Sequence, residues 1–151
     1  YSCYSCLGTG TTCTSCNGSA MRYFNSSVSQ CLCYQGYYDD GSNEMCAICH
    51  YSCLTCSSST SCLTCPVNRA ISGSYCACIS SFYQNSTNLN CLACHYSCLT
   101  CSSYSVCSTC SSGNYRSTSS STTLCVCNSG YYDNGVGQTC YACYSICLTC
   151  S

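Results

Sequence analysis

Lysine is absent from this sequence, and charged residues of both signs make up only 5% of it. The arginines Arg22, Arg69 and Arg116 lie far apart in the sequence, and the formal net charge is −1. Binding to nucleic acid or to anionic lipid needs a basic patch that neutralises phosphate groups. We therefore predict no nucleic-acid partner for this chain.

Long apolar segments are also missing. No run approaches the roughly 20 apolar residues that a membrane-spanning helix needs, so we predict no membrane insertion. Neither a signal peptide nor an initiating methionine is recognisable, and we interpret the chain as a processed segment. Hydrophobic residues amount to 46%, but cysteine and tyrosine supply 26 and 16 of them, which leaves 28 aliphatic residues, methionines and phenylalanines. A conventional hydrophobic core is therefore not expected.

Cysteine is the abundant residue instead, with 26 in 151 positions. Such a density is typical of a scaffold held together by disulfides. In the chain-entropy description, a bond that closes a loop of about 15 residues stabilises a fold by roughly 3 kcal/mol. The cytosol would keep these thiols reduced. We therefore predict an extracellular protein, secreted or attached to the cell surface.

The cysteines follow a repeated order of three CxxC pairs and one CxC. The string CHYSCLTCSS occurs twice, beginning at Cys49 and at Cys94. A complete set of eight cysteines consists of Cys53, Cys56, Cys62, Cys65, Cys76, Cys78, Cys91 and Cys94. This periodicity predicts cysteine-rich repeats at residues 1–49, 50–94 and 95–143, with 144–151 as the start of a fourth repeat or an inter-subunit junction.

An aromatic pair follows each CxC, at Tyr37-Tyr38, Phe82-Tyr83 and Tyr131-Tyr132. Turn-forming residues come next in two repeats, at Asp39-Asp40-Gly41 and Asp133-Asn134-Gly135. We interpret each pair as a short extended segment that covers a disulfide before the chain reverses. The predicted fold class is small and disulfide-rich, with tandem cysteine-rich repeats, short β-hairpins, irregular loops and little helix, arranged as an extended rod.

The CxxC pairs raise the hypothesis of a zinc site, and the signature CxxCH at residues 46–50 and 91–95 raises that of covalently attached haem. An oxidising compartment argues against zinc thiolates. Against haem, the third repeat has Tyr144 in place of the histidine, and 22 cysteines would remain unexplained. We therefore predict no cofactor, and we interpret His50 and His95 as half-exposed residues packed beside Tyr51 and Tyr96.

Acidic residues cluster only at Asp39, Asp40 and Glu44, where hard oxygen ligands would suit calcium. The second repeat carries Gln84 and Asn85 at the corresponding place, so we interpret this segment as a solvated turn and predict no metal. Redox catalysis through CxxC would need one reactive pair in an electropositive environment. The pairs are nearly identical and positive charge is scarce, so we predict that the chain is not an enzyme.

The stretch Cys46–Cys65, CAICHYSCLTCSSSTSCLTC, resembles the furin-like or growth-factor-receptor cysteine-rich repeat, and CACISSFY after it resembles the CxCxxG(Y/F) ending of an EGF-like module. The resemblance covers essentially the whole chain. The Ser-, Thr- and Tyr-rich repeats look like those of extracellular and surface proteins of ciliates and similar protists. The resemblance implies an extended, disulfide-laddered ectodomain without catalytic residues. Cys56 and Cys101 depart from the receptor modules, which usually carry glycine there.

Eight cysteines allow on the order of a hundred pairings. Among them we favour an alternating scheme across each repeat junction, with the bonds Cys46–Cys53, Cys49–Cys56, Cys91–Cys98, Cys94–Cys101, Cys140–Cys147 and Cys143–Cys150. Within a repeat, this scheme leaves Cys62 to pair with Cys76 and Cys65 with Cys78. Cys3 and Cys6 then remain for each other or for an intermolecular joint.

Glycosylation is predicted in two forms. The sequons make Asn17, Asn25 and Asn85 candidates for N-glycosylation. The candidates for O-glycosylation form one run, Ser117, Thr118, Ser119, Ser120, Ser121, Thr122 and Thr123. Covalent glycans would keep a surface with so little charge soluble.

Two functional hypotheses remain open. The first is a structural protein of an extracellular filament, coat or stalk. Its partner would be itself, head to tail, or a neighbouring segment of a longer chain, because joining Ser151 to a second Tyr1 would reproduce the three-residue spacing between cysteines at the repeat junctions. The alternative is a receptor-like or adhesive ectodomain that uses exposed tyrosines to bind a protein or carbohydrate ligand. A distinct, non-repeating aromatic patch in one repeat would favour the alternative.

Overall fold

The computed structural model describes residues 3–8, 12–147 and 150. Two compact units make up the chain, Tyr1–Ala77 and Cys78–Ser151. Within the described ranges, no helix has the length and apolar character needed to cross a membrane.

Over residues 3–8 and 12–77, the first unit contains only short strands and one turn of 3-10 helix at Gly18–Ala20. Its strands are β1 (Cys3–Leu7), β2 (Thr12–Cys16), β3 (Arg22–Asn25), β4 (Gln30–Cys33), β5 (Tyr37–Tyr38), β6 (Ala47–Ile48), β7 (Thr55–Ser58), β8 (Ser61–Thr64), β9 (Arg69–Ser72) and β10 (Tyr75–Cys78), whose last residue belongs to the second unit.

The second unit has the same kind of elements, with a 3-10 turn at Ser112–Asn114. Its strands are β11 (Phe82–Tyr83), β12 (Leu92–Ala93), β13 (Thr100–Ser103), β14 (Val106–Thr109), β15 (Arg116–Ser119), β16 (Thr122–Cys127), β17 (Tyr131–Tyr132) and β18 (Tyr141–Ala142). The predicted fold class, disulfide-rich repeats with short β-hairpins and little helix, is confirmed.

Each repeat contributes three two-stranded sheets. The first is a hairpin around the second and third cysteines, β1–β2, β7–β8 or β13–β14. The second is a hairpin that ends at the CxC, β3–β4, β9–β10 or β15–β16. The third joins the aromatic pair to the two residues inside the last CxxC, as β5–β6, β11–β12 or β17–β18. The aromatic pairs are therefore short extended segments, as predicted, and Tyr38 packs against the buried Cys49, Cys53 and Cys56.

Twelve disulfides repeat one connectivity. With the eight cysteines of a repeat numbered in order, the first bonds to the third, the fourth to the fifth, and the sixth to the seventh, while the eighth bonds to the second of the next repeat. In the first unit the bonds are Cys3–Cys13, Cys16–Cys31, Cys33–Cys46, Cys49–Cys56, Cys53–Cys62 and Cys65–Cys76. In the second they are Cys78–Cys91, Cys94–Cys101, Cys98–Cys107, Cys110–Cys125, Cys127–Cys140 and Cys143–Cys150.

The alternating scheme is therefore wrong at most of its bonds. It is correct for Cys49–Cys56, Cys94–Cys101 and Cys143–Cys150. The bonds that do not occur are Cys46–Cys53, Cys91–Cys98, Cys140–Cys147, Cys62–Cys76 and Cys65–Cys78. The third sheet explains the difference, because pairing of β5 with β6 brings Cys33 to a Cα–Cα distance of 5.9 Å from Cys46. Cys53 is then left to bond Cys62 across the base of the β7–β8 hairpin.

Disulfide-bonded cysteines make up most of the buried interior, together with the three arginines, Ser52 and Ser97. Among the described residues, twelve of the thirteen buried hydrophobic residues are cysteines, and the remaining one is Ala20. Large aliphatic side chains such as Leu63, Val67 and Ile71 stay exposed. Disulfides that close short loops, together with local β-pairing, therefore carry the stability that a hydrophobic core supplies in larger domains.

Candidate functional site

The junction between consecutive repeats is the most regular part of the molecule. The eighth cysteine of one repeat bonds to the second of the next, as Cys49–Cys56, Cys94–Cys101 and Cys143–Cys150, each with a Cα–Cα distance of 5.8 Å. Cys56 and Cys101, the two cysteines that depart from receptor modules, are thus the ones that tie each repeat covalently to its predecessor.

Two cysteines have no disulfide partner, Cys6 and Cys147, and both are exposed. Cys6 lies opposite Cys13 in the β1–β2 hairpin, in the same register that places Cys56 opposite Cys62. It therefore occupies the position from which Cys56 bonds to the preceding repeat. The expectation that Cys3 would also be left over is wrong, because Cys3 bonds to Cys13.

Cys147 is the first cysteine of the fourth repeat. Its N–H donates to the carbonyl of Tyr144 at 2.7 Å, the same turn that Cys53 makes with His50 at 2.9 Å. The equivalent Cys53 is 2% exposed and bonded, whereas Cys147 is an exposed thiol. Ile146 beside it is 86% exposed, although the corresponding serines of the other junctions are buried.

The junction histidines pack against tyrosines with their rings tilted. The ring of His50 lies 4.2 Å from that of Tyr51, and the ring of His95 lies 4.2 Å from that of Tyr96. Nδ1 of His50 also contacts Oγ of the buried Ser52 at 2.8 Å, and a second ring, that of Tyr75, lies 4.5 Å away. The prediction of half-exposed histidines packed beside tyrosines is confirmed.

The cysteines that suggested haem and zinc are already bonded. Cys46 and Cys49 of the first CxxCH signature belong to two different disulfides, and the same holds for the second signature. They cannot form thioether bonds to a porphyrin in this state. The sulfurs of Cys3, Cys13 and Cys31 lie within 4.8 Å of one another, but they belong to adjacent disulfides and are not thiolate ligands.

Each arginine is buried at the same position of its repeat. Arg116 is 2% exposed, and its guanidinium and Nε donate to the carbonyls of Gln138 at 2.6 Å, Gly137 at 3.0 Å and Cys125 at 3.3 Å. Its Nη2 lies 2.8 Å from a carboxylate oxygen of Asp133. The guanidinium therefore fixes the loop that precedes the last CxxC.

Arg22 has the same role in the first repeat. Nε donates to the carbonyl of Glu44 at 2.7 Å, and Nη1 lies 2.7 Å from Asp39. Arg69, which is 8% exposed, donates to the carbonyl of Cys76 at 2.9 Å. The three arginines are scattered in sequence, and sequence analysis assigned them no structural task. The recurrence of arginine at the same position of each repeat was the sequence signal that could have revealed their structural role.

The acidic turns are held by donors of the chain itself. The hydrogen bond from Arg22, followed by that from the Gly41 N–H, lowers the pKa of Asp39. Burial alone would raise the pKa of Asp133, but the Gly135 N–H and Arg116 together lower it. The backbone N–H groups of Asn43 and Ser42 lower the pKa of Asp40 in the same way. The carboxylates thus cap turns, and Asp39 also serves as the counterion of a buried cation.

A groove with a tyrosine-rich lining opens on the surface of the first unit. We call it the tyrosine groove; its volume is about 670 Å³, and it is lined by Tyr23, Cys33, Tyr34, Gln35, Tyr37 and Thr55. The rings of Tyr23 and Tyr34 lie 5.3 Å apart at an angle of 39°. Both side chains are well exposed, at 38% and 48%. Sequence analysis singled out Tyr37 but not the other two.

The glycosylation candidates occupy surface positions. Asn85 is exposed, and Asn25 lies at the end of β3, where it caps a turn through the N–H of Ser27. Asn17 is half-buried and donates to Glu44 at 2.8 Å. The O-glycosylation run, residues 117–123, forms the exposed tip of the β15–β16 hairpin. Glycosylation stays a prediction at all of these positions.

Comparison with protein-family models, with curated proteins and with solved structures finds no match to this chain. The interpretation of its function therefore depends on its own geometry.

Proposed function

We propose that this protein is a structural component of an extracellular filament, coat or stalk, in which consecutive cysteine-rich repeats are joined by disulfides. The observation that carries the proposal is the bond from the eighth cysteine of each repeat to the second cysteine of the next. Such a bond makes every junction a covalent link. The regular repetition of the link suits a load-bearing or spacing role.

An oxidising compartment is implied by the disulfides themselves, which bond 24 of the 26 cysteines. We propose more specifically that the protein is secreted or displayed at the cell surface. The resemblance to furin-like and EGF-like repeats of protist surface proteins agrees with it and stays a prediction.

The head-to-tail part of the proposal rests on Cys6 and Cys147. Exposed thiols do not persist unreacted in an oxidising compartment, and a leftover cysteine in a secreted protein points to an intermolecular bond. One of these thiols belongs to the first repeat and the other to the fourth. A bond from Cys147 of one copy to Cys6 of another would join a first cysteine to a second, which differs from every bond inside the chain. It would be a heterologous contact, and such contacts continue into filaments when they do not close into rings. Within a longer polypeptide, the repeated connectivity would instead bond Cys6 to the eighth cysteine of a preceding repeat and Cys147 to the third cysteine of its own repeat.

The test is electrophoresis and negative-stain microscopy of unreduced protein. We expect a ladder of covalent oligomers and filaments that reduction abolishes, and we expect either Cys6→Ser or Cys147→Ser to remove the ladder. Symmetric bonding between like cysteines would leave a dimer in each single variant. Uniform single chains with both thiols free would contradict the assembly.

A further inference from the structure

We propose that the tyrosine groove of the first unit binds a neutral saccharide, with Tyr23 and Tyr34 as the stacking faces and Gln35 as the hydrogen-bonding group. This inference goes beyond the structural role proposed above, because it assigns a ligand to one non-repeating aromatic patch, the feature that favours the adhesive alternative, rather than a link to every junction. The volume of about 670 Å³ lies within the usual range for small-molecule sites, roughly 300 to 1,000 Å³.

Most polar side chains of the groove are available for a ligand, whereas the hydroxyl of Thr55 already bonds to that of Thr64 at 2.6 Å. Within the described part of the chain, the side-chain amide of Gln35 and the hydroxyls of Tyr23, Tyr34 and Tyr37 make no hydrogen bonds. By contrast, a cavity in the second unit is lined by Tyr96 and Asp133, which already bond to each other at 3.2 Å. The hydroxyl of Tyr96 is therefore already engaged in the second unit, whereas the three tyrosine hydroxyls of the tyrosine groove are not.

The backbone beneath the groove is rigidly held. Tyr37 N–H donates to the carbonyl of Tyr34 at 3.0 Å, which closes a turn with Gly36 at φ +83°. The Gly36 N–H donates to the carbonyl of Leu54 at 2.9 Å, and Cys33 is fixed by its bond to Cys46. Because the turn is fixed by the fold, a ligand does not have to order the backbone beneath the groove, which lowers the entropic cost of binding.

Three of the lining residues are specific to the first repeat, namely Tyr23, Tyr34 and Gln35. Cys33, Tyr37 and Thr55 have a cysteine, an aromatic residue and a threonine at equivalent positions of other repeats. The residues that correspond to Tyr23 are Ala70 and Ser117, and those that correspond to Tyr34 are Ile79 and Asn128. A residue needed for the repeated fold would recur in every repeat. The exposed pair Tyr23 and Tyr34 is therefore not required by the fold, and exposed aromatic residues of this kind mark binding surfaces.

In the third repeat, the counterpart of Tyr37 is itself covered. The ring of Tyr131 stacks on that of Tyr115 at 4.1 Å and 13°. The first repeat has Met21 at the place of Tyr115, and no aromatic ring of the described residues stacks on Tyr37. Among the described residues, Tyr37 therefore lacks the stacked aromatic ring that covers its counterpart in the third repeat.

The chemistry of the lining selects the ligand class. None of the six lining residues is charged at neutral pH, so a charged ligand would lose its hydration without gaining a counterion. The amide and phenol groups both donate and accept hydrogen bonds, as sugar hydroxyls do, and the flat tyrosine faces suit the apolar face of a pyranose ring. A proline-rich peptide also binds aromatic grooves, but proline lacks an N–H to satisfy the acceptors.

The test is affinity electrophoresis of the unreduced full chain through gels that contain a soluble mannan, β-glucan, galactomannan or chito-oligosaccharide. The key variant, Tyr23→Ala with Tyr34→Ile, places the residues of the second repeat into the first, so it preserves side chains that the fold already tolerates. Gln35→Ser, the residue found in both other repeats, is the second variant. Tyr141→Ala is the matched control, because Tyr141 is 48% exposed, as Tyr34 is.

We expect at least one neutral polysaccharide to retard the protein. The key variant should then weaken retardation by at least about tenfold, Gln35→Ser should weaken it less, and the control should leave it unchanged. Identical disulfide maps of variant and parent exclude misfolding. Absence of retardation in every gel would overturn the proposal, as would retardation that the variants do not affect. Binding of a proline-rich peptide at the groove without saccharide binding would also overturn it.

Discussion

Replacement of Arg116 by methionine tests whether a buried guanidinium organises each repeat. The side chain of Arg116 is fully buried, and it donates to three backbone carbonyls as well as to Asp133. Each buried acceptor that loses its donor costs about 1–3 kcal/mol. Breaking a buried ion pair by removing one partner costs about 3–5 kcal/mol. Because the Asp133 side chain is 34% exposed and can rehydrate, we expect a total loss of about 3–5 kcal/mol.

The assay is guanidinium chloride unfolding under non-reducing conditions, followed by tyrosine fluorescence, since the chain has no tryptophan. Hydrogen exchange should show that the loop over residues 128–139 loses protection first. Arg116→Lys should recover little of the stability, because an ammonium group cannot reproduce the planar fork of donors. Asp133→Asn, which keeps the carbonyl contacts, should cost about 1 kcal/mol or less. If Asp133→Asn destabilised the protein as much as Arg116→Met does, the carbonyl contacts would not be the source of the stability.

Three further predictions concern the disulfides and the acidic turns. Non-reducing peptide mapping should recover Cys33–Cys46 and Cys65–Cys76, and recovery of Cys65–Cys78 would contradict the connectivity. The double variant Cys49→Ser with Cys56→Ser should lose about 2 kcal/mol of unfolding free energy, because the bond closes a short loop. Limited proteolysis should detect opening at that junction. Protease resistance equal to that of the parent protein would show that the link is dispensable. Because the folded-state pKa values of Asp39 and Asp133 lie below the ordinary 3.8, their stabilisation should be complete above that pH and be lost as the pH falls below it. In a plot of the unfolding midpoint against pH, Asp39→Asn should reduce the loss of stability at acidic pH. An unchanged loss would show that Asp39 does not contribute to it.

The fold class and the hairpin positions could be predicted from the sequence because they follow from local signals. Cysteine density excludes a conventional core, and an aromatic pair after each CxC predicts a short strand such as β5. The disulfide partners could not be predicted, because they depend on which segment that strand pairs with. Pairing of Tyr38 with Ala47 determines that Cys33 meets Cys46, and spacing alone does not reveal this register.

Some of the site residues could likewise be predicted from the sequence, and others could not. The three arginines recur at equivalent positions, so comparison of the repeats could have identified them as structural, although not the carbonyls that they bind. The tyrosine groove depends on Tyr23 and Tyr34, which come from β3 and from the turn after β4. Only the β3–β4 register, which places Arg22 opposite Cys33, brings their rings together.

The composition of the interior explains how one chain can combine a repeated link with the single binding surface that we propose for the tyrosine groove. Disulfides and buried arginines occupy the positions that must recur in every repeat. The identity of the side chains on the hairpin surfaces is therefore only weakly constrained by the fold. Position 23 can therefore be tyrosine in one repeat and alanine or serine in the others without loss of the fold. A surface side chain that the fold does not need can be selected for its contacts with other molecules. Ligand recognition should therefore be sought at positions where the repeats differ, and mechanical continuity at positions where their residues are the same.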